Sequence, residues 1–317
     1  PLFETTQVLR PEPAPDARLL LLGNAPLKWR DPSQRELLAH LQEPVGVLAT
    51  ASGEPALMAE RYLDWLDSRG VRCELLPISL NNIVRASRDR SLLRTIDSMG
   101  SLLLTGGDQR RLTEALLHCA EATPVLHSLV TAYERGVPLV AVTASAAALG
   151  ERMIAEGDSI AALRYGVSED ASGSGGIVEK GIGHRLGRLL VACAQQQQRY
   201  GFGLCEGAGL LIHGDGREIE ALGDPGVVIA ELDLDRVRLA AGVPDPAGIR
   251  LYILEPGRRV RLTELAGQTA GRSQAATALL DAALQDLHRD SEDALGKNSA
   301  FDSLRWQQTL ADAVRLH

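Results

Sequence analysis

Aromatic side chains are scarce, with three Phe, three Trp and five Tyr among 317 residues, only 3% of the chain. Proteins that bind single-stranded nucleic acid stack bases on such rings, so this scarcity argues against that class. Positive charge is also in deficit: 33 Lys and Arg stand against 41 Asp and Glu, a net charge of -8, and no phosphate-tracking surface is expected. Four cysteines (Cys73, Cys119, Cys193 and Cys205) lie far apart without a CxxC pair, which excludes zinc-ribbon spacing and a redox dithiol. They read as thiols of a reducing compartment. No apolar run approaches the ~20 residues of a membrane span, and Pro1 to Asp16 lacks a charged-then-apolar signal pattern. A cytoplasmic protein without membrane contact is therefore expected. No GxGxxG follows the first apolar run, where Gly23-Asn24-Ala25-Pro26 stands, and no GxxxxGK[ST] occurs, so dinucleotide and P-loop phosphate binding lose their support. Carboxylates such as Asp108, Glu151 and Glu206 form no cluster with ligand spacing, and neither a metal nor another cofactor is expected.

What is present is ordinary globular composition, 45% hydrophobic and 23% charged, arranged in a regular order. Residues 1–17 are rich in Pro and acid and read as a loose arm. Leu19 to Leu22 form a four-leucine run that suits a strand buried on both faces of a parallel sheet. Similar runs recur at Val45 to Ala49, Val71 to Leu76, Leu102 to Leu104 and Leu139 to Val142. Helical patterns separate them: Ser33 to Leu41, Pro55 to Arg69, Arg88 to Met99, Leu112 to Ala120 and Val125 to Arg135. Gly70 and Gly136 follow two of these helices as C-cap glycines should. This alternation predicts an α/β fold, three layers around a doubly wound, mainly parallel sheet. Ser168 to Gly176 is rich in Gly and Ser and reads as a loop, and Arg185 to Gln197 as a helix. From Leu204 to Leu262, short runs with turn signals predict added hairpins, and the basic run Arg258-Arg259-Val260-Arg261 reads as a turn and strand edge. Ser273 to Leu287 and Leu304 to Leu316 have amphipathic spacing, so residues 18–270 are read as the α/β domain and 271–317 as a helical appendage.

Ligands of open parallel sheets bind beyond the carboxyl ends of the strands. Two such places stand out. Thr105-Gly106-Gly107-Asp108-Gln109 follows the fourth run, and paired glycines let backbone N–H groups approach a ligand or an oxyanion; an ordinary turn with Asp108 as helix cap is the alternative. Thr143-Ala144-Ser145-Ala146-Ala147-Ala148 follows the fifth, in the layout of a nucleophile elbow but with Thr143 and Ala147 where the elbow wants glycine. Taken alone, Ser145 is as well explained as a helix-cap serine.

In combination these segments resemble the cyanophycinase family of serine peptidases, which pairs a TGGDQ loop with a GTSAGA elbow. Thr50-Ala51-Ser52-Gly53-Glu54-Pro55 resembles its TASGEP turn, Arg185-Leu186-Gly187-Arg188-Leu189 its RxxRL helix, and Gly203-Leu204-Cys205-Glu206 the strand end bearing its catalytic glutamate. The resemblance implies a fold related to peptidase E and class I glutamine amidotransferases, a homodimer, and a Ser-His-Glu triad that releases β-linked aspartyl-arginine dipeptides. By matching motif, Ser145 would be the nucleophile and Glu206 would orient the base. Gly106, Gly107, Asp108 and Gln109 would line the substrate and oxyanion region, and Arg185 would hold a substrate carboxylate.

The chain departs from the pattern at the base. Where the family has DQHF, it reads Val178-Glu179-Lys180-Gly181-Ile182-Gly183-His184, and the histidine position falls on Gly181 or Glu179. His184 is the candidate replacement, with a solvent-facing residue at a helix start as the alternative. His213 suits a turn role beside Gly214, His40, His118 and His127 fall in helical patterns, and His288 and His317 belong to the appendage. Two functions follow: a serine-type hydrolase acting on an arginine- or aspartate-containing isoaspartyl peptide or small amide, or a catalytically impaired relative that binds such a ligand or scaffolds an active partner.

Overall fold

Strands and helices alternate through the first half of the chain in a computed structural model that describes residues 12–25, 27, 33–118, 121–150, 152–154, 169–171, 177–180, 182, 185–240, 243–244, 248–267 and 314–316. The order is β1 (Arg18–Leu22), α1 (Ser33–His40), β2 (Val45–Leu48), α2 (Pro55–Asp67), β3 (Cys73–Leu75), α3 (Ile83–Ala86), α4 (Arg90–Ser98) and β4 (Ser101–Leu104). Then come α5 (Gln109–Leu116), the short pair β5 (Leu117–His118) and β6 (Glu121–Ala122), α6 (Pro124–Glu134), β7 (Leu139–Val142) and α7 (Ala144–Ala148). The second half holds β8 (Arg152–Ile154), β9 (Glu169–Ala171), β10 (Ile177–Lys180), α8 (Leu186–Gln195), β11 (Tyr200–Leu204), β12 (Gly209–His213), β13 (Glu218–Leu222) and β14 (Val227–Leu232). It ends with β15 (Leu239–Ala240), β16 (Val243–Pro244), β17 (Ile249–Leu254), β18 (Arg259–Arg261) and β19 (Val314–Leu316).

The main sheet runs β18-β13-β12-β1-β7-β4-β2-β3, and its five strands from β1 to β3 are parallel. The hairpin β12–β13 adds antiparallel strands beside β1, and the basic β18 closes that edge. The other late strands do not extend this sheet. They build a second one, β19-β17-β14-β11-β10-β8-β9.

Side-chain alternation explains the layering. Leu20 and Leu22 pack with Leu37, Tyr62 and Leu66 of α1 and α2, whereas Leu19 and Leu21 join Phe202, Leu204, Ile229 and Tyr252 from the second sheet. The four-leucine run is thus buried on both faces, as a central parallel strand should be. The same alternation in β14 sends Val228 and Ala230 away from that shared core toward Leu189, Leu190 and Cys193 of α8. Gly70 and Gly136 take positive φ just beyond α2 and α6.

Several expectations are corrected. Strand β9 lies within the segment read as a loop, and His118 sits in β5 rather than in a helix. Residues 314–316, read as the end of a helix, form β19, parallel to β17. The amino-terminal arm is tied down from Glu12: its N–H and that of Ala14 reach Glu134, and Ala17 is buried. The helix expected over Ser273 to Leu287, and most of that over Leu304 to Leu316, lie outside the described residues. Among the described residues, no helix is long and apolar enough to cross a membrane.

Candidate active site

Strand β7 ends at Val142 and α7 begins at Ala144, so one residue, Thr143, makes the whole turn. Its backbone sits at φ 52° and ψ -109°, a region that glycine enters freely and a β-branched residue avoids. The Thr143 N–H donates to the Leu22 carbonyl at 2.8 Å, which fixes the turn over the end of β1. Its side chain is only part-buried, and Oγ1 lies against Gly106: a Cβ added there would stand 2.1 Å from it. Gly106 is therefore the residue that lets the loop after β4 close onto the threonine hydroxyl.

Ser145 occupies a different environment. It is the second residue of α7, fully buried, and its hydroxyl donates to the Thr105 carbonyl at 2.6 Å. The serine thus lies beside the Gly106 to Gln109 loop, as adjacency of β4 and β7 requires, but inside the helix rather than at the turn. Sliding the elbow motif by two residues places Thr143 directly after the strand, but the letters alone do not separate it from Ser145.

The glycine loop rests on the Thr50 to Ser52 turn. The Asp108 N–H donates to the Ala51 carbonyl at 2.8 Å, and a Cβ on Gly107 would meet that carbonyl oxygen at 2.1 Å. Asp108 caps α5, accepting from the Arg110 N–H at 2.9 Å, and the Arg110 guanidinium beside it holds its carboxyl below the usual range. Gln109 is buried and donates to the Ile154 carbonyl at 3.0 Å, bracing the loop against β8. The Thr105 hydroxyl is buried with no hydrogen-bond partner among the described residues.

Glu206 is exposed in the turn between β11 and β12, and this turn crosses the end of β1: Gly207 N–H donates to Asn24 Oδ1 at 3.1 Å. Glu206 and Thr143 thus share one end of the main sheet. Beside Glu206, burial pushes the Cys205 thiol up to about 12, so it stays neutral and is a poor nucleophile at pH 7. Glu179 on β10, the strand against which α7 packs, is buried and accepts from Arg188 at 2.8 Å and Arg185 at 3.3 Å. Arg188 is buried with it, while Arg185 keeps 39% of its side chain exposed. His184 lies outside the described residues. His213 pairs in register with Arg18, at the opposite end of β1, roughly 13 Å of strand away from the turn. Among the described residues no group of His, Cys, Asp and Glu could hold a metal ion.

No protein-family model matches the chain. Among curated proteins it is similar to a cyanophycinase of Synechococcus elongatus, 31% identical over an alignment of 229 residues, with 68% of this chain and 69% of that protein covered. The chain belongs to the cyanophycinase family. A cyanophycinase of Trichormus variabilis is 29% identical over 231 residues, 69% of this chain and 75% of the relative. Among solved structures, a peptidase from an acI-B1 actinobacterium aligns with a TM-score of 0.55 at 14% identity, covering 78% of this chain and 97% of the other, which is a likeness of fold.

Proposed function

We propose that this cyanophycinase-family chain is a peptide hydrolase that works by hydroxyl attack at the β7–α7 turn, on an isoaspartyl peptide carrying arginine or aspartate or on a related small amide. One observation carries this reading: a strained strand-to-helix turn presents a part-exposed hydroxyl to a glycine-paired loop at the ligand-binding end of a parallel sheet. Backbone N–H groups of Gly106 and Gly107 are suited to an oxyanion there, since no Cβ shields them. Arg185 is suited to a substrate carboxylate because 39% of its side chain is exposed while Glu179 holds one of its nitrogens at 3.3 Å. Glu206 would orient the base, with His184 as the imidazole. A homodimer belongs to the same reading.

A second reading, a binder impaired in turnover, is favoured by Glu179, which occupies the family's histidine position in one alignment and is held by two arginines. One experiment separates the two. Incubation with a polyaspartate whose side chains carry arginine should release β-aspartyl-arginine, and that dipeptide should raise the melting temperature of wild type but not of Arg185→Ala. At a hundred times the dissociation constant the stabilisation is about 2.7 kcal/mol. A shift without release supports the binder; neither shift nor release removes recognition of this ligand.

A further inference from the structure

We infer that the nucleophilic hydroxyl of this chain belongs to Thr143, and that Ser145 is a structural tie between α7 and the glycine loop. The inference rests on the hydrolase reading and names the residue through which it would act. Two hydroxyls compete within three residues, and three observations separate them. The first is backbone shape. An elbow holds its nucleophile in a strained conformation at the point where strand becomes helix, so that the hydroxyl projects from the sheet. Thr143 has that conformation, at φ 52°, while Ser145 is helical. A β-branched residue does not adopt it without cost, and such cost concentrates at functional positions.

The second observation is access. Ser145 has no exposed surface, and attack through its oxygen would require giving up the 2.6 Å bond to the Thr105 carbonyl inside the core. Thr143 is part-exposed and its oxygen adjoins Gly106, the residue whose missing side chain leaves room for that oxygen. The third is connection. Ser145 stands two places after the nucleophile on this assignment, where the elbow calls for a small residue. Its hydroxyl links the turn to Thr105, the residue that begins the loop. One serine thereby holds the two halves of the site together without entering the chemistry.

The step balances as ordinary acyl transfer. Thr143 Oγ1 bonds to the scissile carbonyl carbon, the carbon–nitrogen bond breaks, and the hydroxyl proton leaves on the departing amine. Water then cleaves the threonine ester, giving the free carboxylic acid and restoring the hydroxyl. Threonine differs from serine here by one methyl group, which crowds the attack.

The test is to treat wild-type chain with a fluorophosphonate, map the adduct by peptide mass spectrometry, and measure how fast variants release β-aspartyl-arginine from an arginine-bearing polyaspartate. The adduct is expected on Thr143. Thr143→Ser should hydrolyse as fast as wild type or faster, and Thr143→Val, of equal shape without the hydroxyl, should lose at least a hundredfold. Ser145→Ala should melt lower and still carry the adduct on Thr143. Thr143→Gly should melt higher than wild type while losing hydrolysis, which a purely structural threonine would not show. An adduct on Ser145, or hydrolysis surviving Thr143→Val but not Ser145→Ala, overturns this inference and leaves the hydrolase reading standing. A wild type that neither takes the adduct nor hydrolyses overturns both.

Discussion

His213 ends β12 with its ring 3.3 Å from Glu220, a contact that by itself favours the charged imidazolium. Burial opposes it first and the Arg259 guanidinium second, and together they hold the ring below its ordinary value of 6.5. His40 is lowered too, by burial and then by Arg18, while Glu36 and Glu220 pull the other way. The sign of the stability effect follows. Just below pH 6.5 the unfolded chain takes up protons that the folded chain refuses, so stability is full above that pH and falls as pH drops toward the lower folded values. Melting temperature should therefore decline between pH 7 and 5.5, and His213→Gln should flatten the decline. Equal slopes for variant and wild type would place the effect elsewhere. Thr143 is the other residue whose surroundings decide its behaviour. Its positive φ is worth on the order of 1–3 kcal/mol of strain, which the packing of α7 and the bond to Leu22 must offset.

Strand β10 and helix α8 are joined by the Glu179–Arg188 pair, with contacts of 2.8 and 2.6 Å and both side chains almost wholly buried. Charges brought together in a core gain little overall relative to apolar neighbours of the same volume, but losing one partner strands the other. Glu179→Ala should thus destabilise the chain by about 3–5 kcal/mol in urea or thermal unfolding, because Arg188 loses the carboxylate that it meets at 2.6 Å in the core. The same substitution frees Arg185, which is half-exposed and has less to lose. A loss below ~1 kcal/mol would mean that water reaches Arg188 and that the pair is not a core feature.

Across the whole molecule, each sheet needs its edge managed. The main sheet ends at β18, whose Arg259 and Arg261 are exposed and discourage pairing with another chain. The second sheet ends at β19, which pairs in parallel with Tyr252, Ile253 and Leu254 of β17. Deleting residues 314–317 should therefore bare the backbone of β17, speed amide exchange there, and add larger species to the homodimer expected for the full chain in sedimentation. A truncated chain that sediments like the full one, with unchanged exchange, would show that β19 protects nothing. Only the tertiary arrangement reveals this role, since a strand of three residues has no pattern that separates it from the end of an amphipathic helix.

The sequence by itself determined the order of strands and helices in the first half, because apolar runs of four to six residues bounded by glycine and polar helices leave a parallel sheet few alternatives. It also marked the ends of β4 and β7 as the candidate site, because the paired glycines and the small residues after those strands have local causes. Two sheets in place of one extended sheet were not legible: a buried strand reads the same whichever sheet it joins, and the partner of β11 is set by long-range packing. Nor was the hydroxyl at the turn. Thr143 and Ser145 are equally plausible as letters, and what distinguishes them is a backbone angle and a hydrogen bond to Thr105, forty residues away, both imposed only when β4 and β7 lie side by side.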